Sequence, residues 1–337
     1  MSNARNLANI IAGTYDLPVS SIDSVVNLGK NRIINGAMMI DQRNAGASVS
    51  INSSKYTLDR WVGQAQAANV QQITSTISGF NNSLKLTMTG SSSYSEIAQQ
   101  IEYNNFYDLV GKTVTLGFWA KANNSNAAST NLIIYFRYST TQDASVYFTS
   151  TVFASPTVTI GTTAAFYNVQ VTIPATAKAF SFEINCNATG ASGDGFEITG
   201  VQLEKGSTAT SFDYRPYGTE LQLCQRYCEA VYATGSGADK DIGIGGGNGN
   251  AGNFQAFIEW KTVKRAAPTV SLAAASNFYV HVPGAFRVTC ATLSANDASE
   301  WGTHLQGYSS SNSFGVGQQC FLAVVPNTTV VIASAEL

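Results

Sequence analysis

Residues Gly195–Tyr217 read GFEITGVQLEKGSTATSFDYRPY, and this stretch decides the fold. Phe196 and Ile198 alternate with Glu197 and Thr199, the period of a half-buried strand. After Gly200 the phase slips by one residue, so that Val201 and Leu203 take over the apolar side. A glycine at such a slip predicts a β-bulge. Glu204-Lys205-Gly206 then turns the chain, Arg215-Pro216 stops further pairing, and a helix is expected next. The strand therefore closes one β-domain, and a second unit follows it.

Working upstream, the same alternation recurs. Leu84, Leu86 and Met88 alternate with Lys85 and Thr87. Ile97, Gln99, Ile101 and Tyr103 alternate with Ala98, Gln100 and Glu102. Val114, Leu116, Phe118 and Ala120 alternate with Thr115, Gly117, Trp119 and Lys121. Three more such runs are centred on Ile134, Val169 and Ile184. Period-two patterning repeated this often, with Gly, Asn and Ser clusters between and no helical stretch, predicts an all-β antiparallel sandwich. A jelly roll is the leading architecture. The domain opens at Asn31 with NRIINGAMMIDQRNAG and continues to YTLDRW at residues 56–61.

Composition agrees. With 44% hydrophobic and 12% charged residues the chain is globular, and its exterior must be built from Ser, Thr, Asn, Gln and Gly. A formal net charge of −2 argues against nucleic acid or an anionic membrane as partner. No run approaches the ~18 apolar residues of a membrane span. The five cysteines are odd in number and unevenly placed, which suits small buried hydrophobes better than disulfides.

At the N-terminus, Leu7, Ile10 and Ile11 have helical spacing and Gly13 is a stop. About two turns of helix need a partner to be stable. Residues 1–30 are therefore expected to be an anchor or oligomer seed with an extended linker, and the apolar core is too short for a signal peptide. Residues 31–217 form the jelly roll and 218–234 a connecting helix. That helix has Thr219 as N-cap and Leu221, Cys224, Cys228 and Val231 on its buried stripe. Residues 235–337 are a smaller β-domain with strands in FQAFIEW, APTVSL, FYVHV, AFRVTC, CFLAVV and TTVVIA. The glycine-rich stretch 235–253 is expected to be a surface loop, since no phosphate-loop ending follows it.

Chemistry is sparse. His281 and His304 are the only histidines, too few for a multi-histidine metal site and a poor basis for a triad. Glu102, Glu183 and Asp194 are the carboxylates that would have to meet for glycoside cleavage. The polar face of the sandwich collects Trp119, Lys121, Tyr135, Arg137, Asn168, Gln170, Glu183 and Asn185. Flat rings beside amides, guanidinium and carboxylate suit sugar rings and their hydroxyls. Ordinary cross-strand pairs, or a face covered by a neighbouring subunit, would look the same in sequence.

NRIINGAMMIDQRNAG, YTLDRW, VTLGFWAKA and GFEITGVQLEKGSTATSFDYRPYGTELQLCQRYCEA together resemble a family of phage tail-fibre and receptor-binding virion proteins. These carry a jelly roll like that of carbohydrate-binding modules. The resemblance covers roughly residues 31–232. It implies a bacteriophage virion protein, a homotrimer, that binds a host surface glycan without being an enzyme and joins other virion proteins through its N-terminus. It would be made in the host cytoplasm and exposed on the particle. A purely structural decoration fibre and a tailspike depolymerase are the alternatives. Related sugar-binding jelly rolls often carry an acidic calcium ligand in the final strand, near where Thr199-Gly200 stands here. Asp194 precedes that strand and is not at the matching place, so the resemblance lends a structural calcium no support and no cofactor is expected.

Overall fold

The computed structural model describes residues 30–186, 188–232, 240–247, 252–282, 286–309, 317–324 and 329–337. The helix and linker expected before Lys30 lie outside the described residues.

The first unit is an antiparallel sandwich. In chain order its strands are β1 (Val49–Ser50), β2 (Lys55–Tyr56), β3 (Val62–Ala65), β4 (Ala68–Thr74), β5 (Asn82–Met88), β6 (Ser95–Ile101) and β7 (Thr113–Ala122). A one-turn helix α1 (Ala127–Thr130) interrupts the run, against expectation. Then come β8 (Asn131–Ser139), β9 (Thr151–Ala154), β10 (Thr157–Thr159), β11 (Ala165–Thr172), β12 (Ala179–Cys186) and β13 (Gly195–Lys205). The first sheet has the order β1-β4-β5-β13-β7-β11, and the second β10-β8-β12-β6-β3-β2 with β9 on β8. The apolar phase of each strand points between the sheets. Leu84, Leu116, Phe118, Phe196 and Leu203 come from the first sheet, and Ile97, Ile134, Phe136, Phe182 and Trp61 from the second side; all are buried in one core.

The closing strand bulges as expected. The β13–β7 register shifts between Thr199 and Gln202, and Gly200 has φ +60°. A Cβ on Gly200 would run into the Phe80 ring, so no other residue fits without displacing it. The strand is not half-buried, however: Gly195 to Glu204 are buried on both faces. Its outward polar groups are roofed by loops that hydrogen-bond to them. Glu197 accepts from the Thr76 N–H (2.9 Å) and hydroxyl (2.6 Å), and Glu204 from the Thr210 N–H (2.8 Å) and hydroxyl (2.6 Å). Asn31 Oδ1 accepts from the Leu203 N–H at 3.1 Å while its Nδ2 donates to the Val201 carbonyl at 3.1 Å. The NRIING stretch thus begins the domain as a strap over β13.

The connecting helix is shorter than expected. Helix α2 is Tyr217–Gln225, capped by Pro216 rather than Thr219, with the Glu220 carboxylate accepting from the Asn35 N–H and from Arg215. After Arg226 the chain extends into β14 (Cys228–Tyr232), because the last strand of the chain is there to pair with Glu229, Ala230 and Val231. Cys224 and Cys228 therefore share no helix stripe, although both are buried and free.

The second unit continues with β15 (Lys240–Gly247), β16 (Asn253–Glu259), β17 (Thr269–Leu272), β18 (Phe278–Val282), β19 (Phe286–Thr289), β20 (Thr292–Asn296), β21 (Gly302–Tyr308), β22 (Gln319–Val324) and β23 (Thr329–Ser334). Its sheets run β14-β23-β17 and β19-β18-β22-β15-β16-β21-β20. The glycine-rich stretch is thus corrected from loop to central strand over 240–247. Its glycines sit where neighbouring backbone closes in: a Cβ on Gly243 would be 2.8 Å from the Phe257 carbonyl oxygen, and Gly245 is tighter still.

The end of the chain returns to the jelly roll. Ala335 N–H donates to the Tyr227 carbonyl at 2.7 Å, Glu336 pairs with Arg43 (3.0 Å) and with Arg60, and Leu337 O accepts from Tyr56 and Tyr147 hydroxyls at 3.0 and 3.1 Å. Ile34, Ile40, Cys224, Tyr227 and Leu337 form a small core at this junction.

Candidate functional site

Pairing registers place the candidate residues on two opposite faces, not on one. Trp119, Lys121, Asn168 and Gln170 point outward from the first sheet; Tyr135, Arg137, Glu183 and Asn185 point outward from the second. Inward partners on both sheets fill the shared core, so the two groups are separated by the thickness of the sandwich, about 10 Å between sheets. A single site containing all of them is excluded.

On the first sheet, Trp119 is half-buried and packs on Phe166, ring centroids 5.8 Å apart. Lys121 pairs with Glu197 at 3.6 Å, and Gln170 Nε2 donates to the Ser207 carbonyl at 2.6 Å. Lys121 and Gln170 are thus committed to local partners, leaving the aromatic pair and the exposed Asn168.

The second sheet is built differently. Across it run three cross-strand rows: Gln64–Glu96–Asn185–Ile133, Val62–Ala98–Glu183–Tyr135, and Gln100–Ser181–Arg137. Glu96, Glu183 and Asn185 are buried, while Gln64, Ile133 and Tyr135 in the same rows are half-exposed, so the polar groups lie beside one aromatic ring. The groups are held in place. Glu183 Oε1 accepts from Arg137 Nε at 2.7 Å and from the Phe148 N–H, and Arg137 Nη1 donates to the Ser150 carbonyl at 2.7 Å. Asn185 Nδ2 donates to Glu96 Oε2 at 2.5 Å. The Arg137 guanidinium lies 5.4 Å from the Tyr135 ring centre. A loop over residues 140–150 roofs one end through Val146 N–H to Gln100 Oε1 (3.0 Å), and next to it a depression of about 310 Å³ opens among Tyr138, Thr140, Thr149 and Thr151.

Burial raises the Glu96 carboxyl to about 7; the Asn185 hydrogen bond opposes this and the Glu183 charge adds to it. Burial also pushes Glu183 up, against the Phe148 N–H and Arg137. Glu183 Oε2 and Ser181 Oγ are buried without a protein partner. The sequence reading missed Glu96, Gln64 and Phe148. Glu96 shares the phase of Ala98 and Gln100, so beginning that strand two residues earlier would have found it.

The three carboxylates considered for cleavage do not meet, since each serves a different network. Glu102 accepts from Arg226 (2.7 Å) and Tyr227 (2.7 Å), Glu183 from Arg137, and Asp194 from Asn124 and Asn126 (both 2.8 Å). Burial opposes ionisation of Asp194, but the Ala191 N–H and the two amides hold it below the usual range. Those amides donate N–H groups to Asp194 rather than turning oxygens toward a cation. Among the described residues no cluster of three His, Cys, Asp or Glu side chains is placed to hold a metal ion.

No family model matches the chain. No curated protein matches it either. Among solved structures it is similar to the enzymatically active domain of tailspike protein 4 of bacteriophage CBA120, at 17% identity over 52% of this chain and 22% of that one, with a TM-score of 0.34. It is also similar to the carbohydrate-binding module TmCBM61, solved with β-1,4-galactotriose, at 13% identity over 53% of this chain and 100% of that one (TM-score 0.33). A xylan-binding domain of CBM 22 is a third, at 16% identity over 49% and 99% of the two chains (TM-score 0.34).

Proposed function

We propose that the chain is a non-enzymatic phage virion fibre subunit that binds a host surface saccharide along the outer face of the second jelly-roll sheet. It would act as a homotrimer attached to other virion proteins through its N-terminal residues. The observation that carries this is two pre-set polar pairs, Arg137 with Glu183 and Asn185 with Glu96, beside a half-exposed Tyr135. Fixed donors and acceptors beside one flat ring are what an uncharged polyhydroxylated ligand needs, because little ordering remains to be done on binding. The first-sheet face offers rings with few free polar groups, which suits packing against another virion protein better than sugar recognition.

Hydrolysis has one observation on its side. Glu96, raised to about 7, neighbours Glu183 diagonally across β6 and β12, an acid-and-base pairing in outline. Against it, both oxygens of Glu183 are buried and its Oε1 is already held by two donors, so neither oxygen is open to solvent to activate a water.

The test is a glycan array followed by calorimetric titration with wild type, Tyr135→Ala and Trp119→Ala. The expected result is binding weakened at least tenfold by Tyr135→Ala alone, with no release of reducing ends. Binding lost in Trp119→Ala but kept in Tyr135→Ala would move the site to the first sheet. No binding by the wild type, with folded protein, would leave a structural fibre.

A further inference from the structure

The seven-stranded sheet of the C-terminal unit turns Phe254, Ala256, Ile258, Leu305 and Leu322 into its core. Its other face carries a continuous row. His281 pairs with Phe321, Phe321 with Ile244, Ile244 with Phe257, and Phe257 with His304, across five adjacent strands. Two residues further along the strands runs a second row, Gln319–Gly246–Gln255–Gln306–Ser294. The first row is apolar, aromatic and imidazole; the second is amide and hydroxyl around one glycine.

Both rows are open. Ile244 is 61% and Phe257 43% exposed, and Gln255, Gln306 and Gln319 are exposed. The Phe257 ring lies across Gly302, where a Cβ would collide with it, so the ring rests on the sheet and offers solvent its other side. The His281 ring is stacked on Phe321, centroids 5.3 Å apart at 23°. Gly246 leaves a dip between the rows, part of a groove of about 380 Å³ lined by Ile244, Gln255, Phe257 and His304. Charge stays at the margins: Asp241 is 2.7 Å from His281 Nε2, and the Arg287 guanidinium lies over the Tyr279 ring at 3.7 Å.

We propose that this face is a second saccharide site, taking an extended, uncharged oligosaccharide laid across the strands. A pyranose is amphipathic in the same sense as the two rows: its C–H face suits the ring row, and its hydroxyl edge suits the amide row. Four strand-to-strand steps separate His281 from His304, about 19 Å at ~4.8 Å each, the reach of a short oligosaccharide rather than a single sugar. The near absence of fixed charge between the margins fits a neutral ligand. A protein partner would favour a mostly apolar centre, whereas here one of the two rows is amide and hydroxyl around a glycine. The ligand class rests on the saccharide reading above; the location does not.

The test is calorimetric titration of the full chain with cellotetraose, xylotetraose, mannotetraose and maltotetraose, using Phe257→Ala, Gln255→Ala and Tyr135→Ala. Sedimentation and circular dichroism of each variant would accompany the titrations. The proposal expects at least one probe to bind, with Phe257→Ala and Gln255→Ala each weakening a site tenfold or more that Tyr135→Ala leaves intact. Loss in both C-terminal variants with Tyr135→Ala silent would support this site while overturning the jelly-roll site. Loss in Tyr135→Ala alone would overturn this site and keep the jelly-roll one. A changed oligomeric state in Phe257→Ala with binding unaltered would assign the face to a second copy and overturn the proposal, as would the absence of any binding.

Discussion

Replacing Glu336 by glutamine should unfasten the C-terminal unit from the jelly roll. Glu336 and Arg60 side chains are 4% and 2% exposed, and Arg43, at 10%, lies 3.0 Å from the other Glu336 oxygen. Arg60 also donates to the Gln100 carbonyl at 2.6 Å and lies 3.7 Å from the Tyr227 ring centre, so it cannot swing to water without losing both. Removing one partner of a buried ion pair costs roughly 3–5 kcal/mol because the other charge is left uncompensated. The lower end applies here. Asp59 remains 4.0 Å from Arg43, and the glutamine oxygen still accepts one hydrogen bond. A loss of about 3 kcal/mol is therefore expected, read by urea titration of the fluorescence of Trp61, which is buried in the jelly-roll core. The apolar pair Arg60→Met with Glu336→Leu should recover part of it, since the Arg60 charge is then no longer stranded while Arg43 keeps only Asp59 at 4.0 Å. A loss below about 1 kcal/mol in Glu336→Gln would refute this account of the junction. So would a double variant as unstable as the single one.

Other outcomes follow from single groups. The folded-state pKa of Glu96 is raised to about 7 from 4.5, so its contribution to stability is fully present below 4.5 and is lost as pH rises through 7. Glu96→Gln should remove up to about 3 kcal/mol of that fall between pH 5 and 8; an unchanged slope in urea midpoints would contradict the burial argument. Gly200→Ala places a Cβ at φ +60° against Phe80 and should lower stability by about 1–3 kcal/mol, measured by thermal melts. All five thiols are buried, and burial pushes Cys186 and Cys290 to about 12 and Cys320 to about 11. A thiol reagent at pH 8 should label none until denaturant is added, and rapid native labelling would count against the packing described.

Strands that obey a strict period of two were legible because each side chain declares its face by parity alone, and Gly200 announced its bulge by breaking that parity. The jelly roll and most C-terminal strands followed from this. What parity cannot say is which sheet a strand joins. Trp119 and Tyr135 therefore looked like members of one polar face, although strand order sets β7 and β8 on opposite sheets. Nor can composition distinguish a glycine loop from a glycine strand: residues 240–247 are a strand only because β16 and β22 supply partners on both sides, at a closeness that only glycine permits. The helix ending at Gln225 has the same cause, since Cys228–Tyr232 extends to meet β23, a partner roughly a hundred residues later in the chain. Sequence alone thus determined the all-β class, the closing strand and its bulge. Tertiary structure alone decided the strand partners, the buried pairs Glu96–Asn185 and Glu183–Arg137, and the charge cluster at Glu336. Each of those depends on residues distant in the chain compensating one another's burial, and no local pattern records that.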